Sequence, residues 1–192
     1  PYDVSQGNFT GGGVNAVTRS GTNNFEGSVY LFGRNEKTGG KNVLTNQRGT
    51  DFSNNQYGFR LGGPIVKNKL FFFVNAESQR IKAPLLNNAG ENGSAISVAT
   101  ANQIASYMKT TYGYDVGAFD ATSNKTENNK VFAKLDWNIN PKNQLTVRYN
   151  YIDAFDDNLS RSATFFRFGN NSYQFTNTQH NGVLELRTNL NN

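Results

Sequence analysis

The chain has 192 residues, 36% hydrophobic and 13% aromatic, with 19 Lys+Arg against 14 Asp+Glu, a formal net charge of +5 and a mean hydropathy of −0.63. The sequence lacks cysteine, which excludes a disulfide framework and a thiolate metal site, and the lone His180 has no second histidine to ligate with it. Basic residues stand singly, with no Lys/Arg run, RNP-like motif or zinc-ligand spacing, so nucleic acid is not an expected partner.

At the N-terminal end, Gly11-Gly12-Gly13 permits a sharp reversal, residues 14–19 form a short β-prone run, and Ser20-Gly21-Thr22-Asn23-Asn24 is a polar connector. From Phe25 to about Arg34, the residues Phe25, Gly27, Val29 and Leu31 share one side of an alternating pattern, which predicts a first strand. A long polar segment over 35–55 follows. Next, Tyr57, Phe59 and Leu61 alternate with polar residues or glycine, and Gly62-Gly63-Pro64 with Lys67-Asn68-Lys69 predicts a short turn over 62–69. Beyond it Leu70, Phe72, Val74 and Ala76 fall on one face, while Phe71, Phe73, Asn75, Glu77 and Gln79 take the other.

A second long polar segment, 81–128, holds Ile96, Ala99, Ala101, Ile104, Ala105, Tyr107 and Met108 at helical spacing, which predicts a short amphipathic helix from Thr100 to about Thr111. Period two then returns. Val131, Ala133, Leu135, Trp137 and Ile139 precede the turn Asn140-Pro141-Lys142-Asn143, and Leu145, Val147, Tyr149 and Tyr151 follow it. In the third long segment, 153–177, Asp153, Asp156 and Asp157 lack the spacing of a calcium loop and read as solvated acids. A last strand is predicted from Thr178 to Asn189, with His180, Gly182, Leu184 and Leu186 on one face.

The chain holds no apolar run near the ~18 residues that a spanning helix needs. Strands need only alternation. About six strands of roughly 9–11 residues are long enough to cross a bilayer when tilted, with lipid meeting every second side chain. Short turns alternate with long polar segments, and structureless loops beyond ~12–15 residues are uncommon in compact soluble domains. On this reading Tyr57, Phe59, Leu61, Leu70, Phe72, Val74, Leu135, Trp137, Tyr149 and Tyr151 face outer-membrane lipid, with Phe71 and Phe73 just inside the wall. Period alone leaves open a sandwich with these side chains in its core.

The run from Gly11 to Asn23, Gly-Gly-Gly-Val-Asn-Ala-Val-Thr-Arg-Ser-Gly-Thr-Asn, closely resembles the plug-to-barrel junction of TonB-dependent outer-membrane receptors, in particular their Oar-like branch. The stretch Gly62-Gly63-Pro64-Ile65-Val66-Lys67-Asn68-Lys69-Leu70-Phe71-Phe72-Phe73 resembles that family's first periplasmic hairpin. The resemblance implies an all-β fold, part of a transmembrane antiparallel β-barrel of about 22 strands in the whole receptor, with residues 1–24 ending the plug and 25–192 beginning the barrel. It implies a piece of a longer receptor in the bacterial outer membrane, which takes up an unknown ligand with energy delivered by TonB. No cofactor is implied. Arg19, in the last plug strand over 14–19, is then a candidate partner for a wall acid such as Glu77 or Asp136. Tyr112, Tyr114, Phe165, Phe166 and Arg167 are candidate ligand contacts in the extracellular loops. No nucleophile elbow, phosphate-cradling loop or placed carboxylate pair points to an enzyme. The alternative is a soluble adhesin or glycan- or protein-binding β-rich module.

Overall fold

The computed structural model describes residues 18–44 and 46–190, so the expected reversal at Gly11-Gly12-Gly13 and the expected plug strand up to residue 17 lie outside the described residues. Six strands follow in the chain: β1 (Glu26–Asn35), β2 (Ser53–Val66), β3 (Leu70–Pro84), β4 (Ser123–Asn140), β5 (Asn143–Asn158) and β6 (Tyr173–Thr188). Among the described residues one α-helix, α1 (Val98–Tyr112), lies between β3 and β4, and a single 3₁₀ turn (Gly169–Asn171) precedes β6. The strands form a single antiparallel sheet in chain order, an up-and-down meander whose end strands β1 and β6 do not pair with each other.

Directly opposed residues of an antiparallel ladder point to the same face. The pairs Leu61↔Val74, Phe72↔Leu135, Leu135↔Val147 and Val147↔Leu184 therefore carry the apolar positions of each strand onto those of the next. All ten residues expected to face lipid share this one face. Trp137 lies toward its turn end, opposite Leu70 and Leu145, while Tyr57 and Tyr151 lie near its loop end. Nothing covers it. Phe59 is 45% exposed and Leu135 41%, although both are in interior strands. The two-layer sandwich left open by periodicity does not form among the described residues: the four buried hydrophobic residues, Leu85, Ala101, Val116 and Leu159, all lie outside the strands.

The strands outrun their apolar stretches. β4, β5 and β6 begin or end several residues beyond the predicted limits, so the long segments shrink to 36–52, 85–122 and 159–172. Past the apolar zone the ladder is held by polar cross-strand pairs, including Ser78 Oγ donating to Asn129 Oδ1 at 2.7 Å and an Arg80–Glu127 ion pair at 3.0 Å. Asp153, Asp156 and Asp157 consequently belong to β5 rather than to a loop. Asp156 points to the opposite face from the other two, and no acidic or histidine cluster able to hold a metal occurs among the described residues.

Gly62, Gly63 and Pro64 likewise lie within β2, and the turn comprises only 67–69, with Asn68 at φ 63°. Proline is tolerated there because the register shifts between Pro64 and Val66 at the strand's end. α1 exceeds its predicted limits at both ends because it is capped. Ser97 Oγ accepts from the Thr100 amide at 3.1 Å, and Gly113, at φ 69°, donates to the Lys109 carbonyl at 3.0 Å.

Glycines in β2 mark close approaches. A Cβ on Gly58 would stand 2.6 Å from the Tyr30 hydroxyl and 2.7 Å from the Ala76 carbonyl oxygen, whereas Gly182 in β6 has open space around it. Gly58→Ala is expected to destabilise the folded protein by about 1–3 kcal/mol through overpacking, and Gly182→Ala to change it by less than about 0.5 kcal/mol. Urea unfolding midpoints of the two variants in detergent check this.

Candidate functional site

The face opposite the apolar one is polar and cross-linked by ion pairs and hydrogen bonds. Glu77 in β3 is its hub: the Tyr30 hydroxyl donates to Oε2 at 2.6 Å, Gln56 Nε2 to the same oxygen at 2.9 Å, and Lys130 Nζ to Oε1 at 3.2 Å. Tyr30 reaches Glu77 by crossing over Gly58, the residue between them in the register. Lower on this face, Lys134 pairs with Asp136 at 3.3 Å, with both side chains nearly buried, and Thr146 Oγ1 donates to Asp136 at 2.8 Å. Arg148 and Arg187 both pair with Glu185. Phe71 and Phe73 lie on this face as expected, Phe73 against the Phe132 ring at 6.2 Å.

Both acids considered as partners of Arg19 are thus engaged by groups of the wall itself. Among the described residues Arg19 forms no ion pair with either. Its neighbour Ser20 makes the contact instead, accepting from Lys134 Nζ at 2.7 Å. Arg19 lines a 390 Å³ depression on this face, together with Arg60, Glu26, Phe73 and the 20–22 backbone.

At the opposite end of the sheet the β3–β4 and β5–β6 segments pack into one body around Arg161. Its guanidinium is buried and donates from Nε to the Arg167 carbonyl at 2.9 Å, from Nη2 to Ala118 O at 2.8 Å, and from Nη1 to Asp120 O at 3.0 Å and to Asn88 Oδ1. The cation also lies 4.5 Å from the centre of the Phe166 ring. Burial holds the Arg161 guanidinium below the ordinary arginine value, while Asp120 and Glu91 act in the opposite sense. Asn88, also buried, passes the connection on: its Nδ2 donates to Leu85 O at 2.8 Å and to Glu91 Oε1 at 2.7 Å. Close backbone contact joins the two segments where Gly169 N donates to Ala118 O at 2.8 Å and Asn170 N to Val116 O at 2.9 Å. Gly117, at φ 76°, allows this approach.

On this body α1 and the third loop enclose a groove of 290 Å³ lined by Ile104, Met108, Tyr114, Val116, Phe166, Phe168, Asn170 and Asn171. Two of the five candidate ligand contacts, Tyr114 and Phe166, meet there. Tyr112 instead packs edge-on against Tyr107, and Arg167 lies over the exposed Phe165 ring while donating to Ser160. Arg161 and Asn88 escape a reading of the sequence because neither belongs to a periodic or motif-bearing stretch. Gly58, a glycine inside a strand pattern, was a usable signal of close approach.

The family model described as outer membrane beta barrel domain matches residues 17–116, just over half of the chain. A relative from Myxococcus xanthus, TonB-dependent transporter Oar, is 43% identical over 80 residues, which covers 38% of this chain and only 8% of that protein. No solved structure matches significantly.

Two predictions follow from the loop body. Arg161→Met would remove four hydrogen bonds and leave the buried Asn88 Oδ1 without its donor, at a cost of about 1–3 kcal/mol confined to the loops; trypsin should then cleave within 85–122 and 159–172 while the strands stay resistant. Glu91 is held below its ordinary value of 4.5, chiefly by the Asn88 side-chain hydrogen bond. A depressed carboxylate contributes stability above its unfolded pKa and loses it as pH falls through the folded one, so cleavage in these loops by pepsin, a protease active in acid, should rise as the pH falls below about 4.5. Glu91→Gln should be cleaved readily by trypsin at neutral pH and show no such step.

Proposed function

The chain belongs to the outer membrane β-barrel domain family, and on that premise we propose that it builds the plug junction and first wall strands of a TonB-dependent receptor, which takes up a ligand across the outer membrane at the expense of inner-membrane energy. Residues 1–24 end the plug and form its connector, and residues 25–192 begin the barrel. TonB engages a part of the receptor outside this chain.

One observation carries the reading. A single sheet has one uncovered apolar face, and the chain's N-terminal connector lies on the other, polar one. In water the apolar face is untenable: a large side chain left exposed forgoes about 1.5–3 kcal/mol, so ten of them half-exposed forgo on the order of 10 kcal/mol, comparable with a whole domain's stability of about 5–15 kcal/mol. In lipid that term vanishes. The connector on the polar face supports a plugged bore rather than a passive pore, and the likeness to a TonB-dependent transporter supports energy coupling. Most charges of the polar face are paired within it, and the aromatic groove at the far end supplies a surface for ligand capture.

The two faces should tolerate charge differently. In the complete receptor, Val147→Arg on the apolar face is expected to cost about 2–4 kcal/mol and to lower the amount assembled in the outer membrane, while Asn150→Arg on the polar face leaves assembly unchanged. Quantifying heat-modifiable receptor in outer-membrane fractions decides between these. Uptake is tested with a panel of fluorescent oligopeptides and oligosaccharides offered to cells expressing the complete receptor: accumulation abolished by a protonophore supports energised transport, and accumulation indifferent to it supports a passive pore. A chain that is soluble, monomeric and cooperatively folded without detergent would overturn the membrane reading altogether.

A further inference from the structure

Two stretches that stand about forty residues apart, the connector at 20–24 and the hairpin end at 62–68, meet at the turn end of the sheet. Gly21 sits on the backbone of β2 and β3. A Cβ there would stand 2.8 Å from the Gly63 carbonyl oxygen, and closer still to that of Phe72, so no other residue fits without moving main chain. The seat is thinned from below, because Gly62 also lacks a side chain and its α-carbon side is shared by Gly21 and the Phe73 ring. On either side of Gly21 the connector is tied down. Ser20 takes the hydrogen bond from Lys134, itself paired with the buried Asp136. Asn23 and Asn68 form a reciprocal pair, the Asn68 amide donating to Asn23 Oδ1 at 2.7 Å and Asn23 Nδ2 donating to Asn68 Oδ1 at 2.5 Å. Asn68 is presented for this by its left-handed backbone. On the apolar face Phe25 then folds across Gly63 to meet Phe72 at 6.3 Å, so the chain grips both sides of β2 as it enters β1.

We infer that residues 20–24 and the β2–β3 hairpin end form one permanent joint, a fixed pivot at which any rearrangement of the chain preceding Ser20 stops. The reason is steric and additive. Tight main-chain seating at Gly21 is flanked by three side-chain hydrogen bonds and an aromatic clasp, and releasing it exposes the Gly62–Gly63 backbone while orphaning the turn amide of Asn68. A linker meant to detach would not be built on contacts that admit only glycine. The inference goes beyond the transport reading and rests on it only in the second of the two tests below.

In the complete receptor purified in detergent, Asn23→Ala removes the acceptor for the Asn68 amide and leaves the Asn68 backbone unaltered. Hydrogen exchange at that amide should accelerate about tenfold or more, with exchange in β4 and β5 unchanged. Exchange at Asn68 that is already fast in the wild type, or that does not respond to Asn23→Ala, would overturn the joint. Its permanence is tested by Asn23→Cys with Asn68→Cys, linked by a short reductant-cleavable bis-methanethiosulfonate. Energised uptake of the fluorescent panel should stay within about twofold of that of the unlinked receptor. Uptake lost on linking and regained on reduction would show a connector that must detach, and would refute the pivot while leaving the transport reading intact.

Discussion

A strand immersed in hydrocarbon finds no water for its N–H and C=O groups, so all of them must be given to neighbouring strands, and the register of that pairing decides which side chains meet which solvent. In this chain the ladder runs without interruption from β1 to β6, and its irregularities are confined to Pro64–Val66 and Asn138–Asn140, beside the two short turns. A slip of one residue between β3 and β4 would bring Lys130, Lys134 and Asp136 to the face of Phe72 and Val74. It would also carry Lys130 away from Glu77. Apolar face, paired polar face and connector seat all depend on the same phase.

The molecule meets its two environments by different means. On the proposed reading the apolar face has lipid for a partner and needs no second layer, and its large apolar side chains stay uncovered. Beyond the apolar stretch both faces of the sheet are polar, and order comes from within: polar cross-strand pairs extend the strands, and the loops assemble a small interior of their own around Leu85, Ala101, Val116 and Leu159. Four buried apolar residues are too few to fix the path of two loops. The buried Arg161 supplies what they cannot, because a planar guanidinium with several donors specifies the positions of several carbonyls at once.

What could be read from the sequence follows this division. Period two is legible wherever one face is apolar, and it located every strand and assigned all ten residues expected to face lipid to one face. Strand ends were not legible. At Asp153 to Asn158 and at Tyr173 to Thr178 both faces are wet, so hydropathy carries no period and a strand looks like a loop. Gly62-Gly63-Pro64 misled for a related reason: glycine and proline mark turns in most contexts, but here the glycines thin a strand that other chain segments press against. The candidate loop contacts were found by composition, and only Tyr114 and Phe166 come together. The polar network that organises the loops depends on pairings across dozens of residues, such as Asn88 with Arg161, which no local pattern encodes.

The glycines of β2 bind these observations together. Glycine inside a strand sacrifices about 0.5–1 kcal/mol relative to alanine, and this strand carries three at positions facing both solvents. Each is filled from elsewhere in the chain: Gly58 by the Tyr30 ring on its way to Glu77, Gly62 by Phe73 and Gly21, Gly63 by Phe25. Their cost is offset by contacts that a side chain at the same place would forbid, and every one of these incoming groups lies in β1, its connector or the adjoining β3 strand. β2 is thus the thin member against which the N-terminal part of the chain is fitted from both faces. Ser-Gly-Thr-Asn in the connector and Gly-Gly-Pro in the hairpin look like independent turn signals when read along the chain; in three dimensions they are the two surfaces of one contact, and the absence of side chains in each is explained by the other.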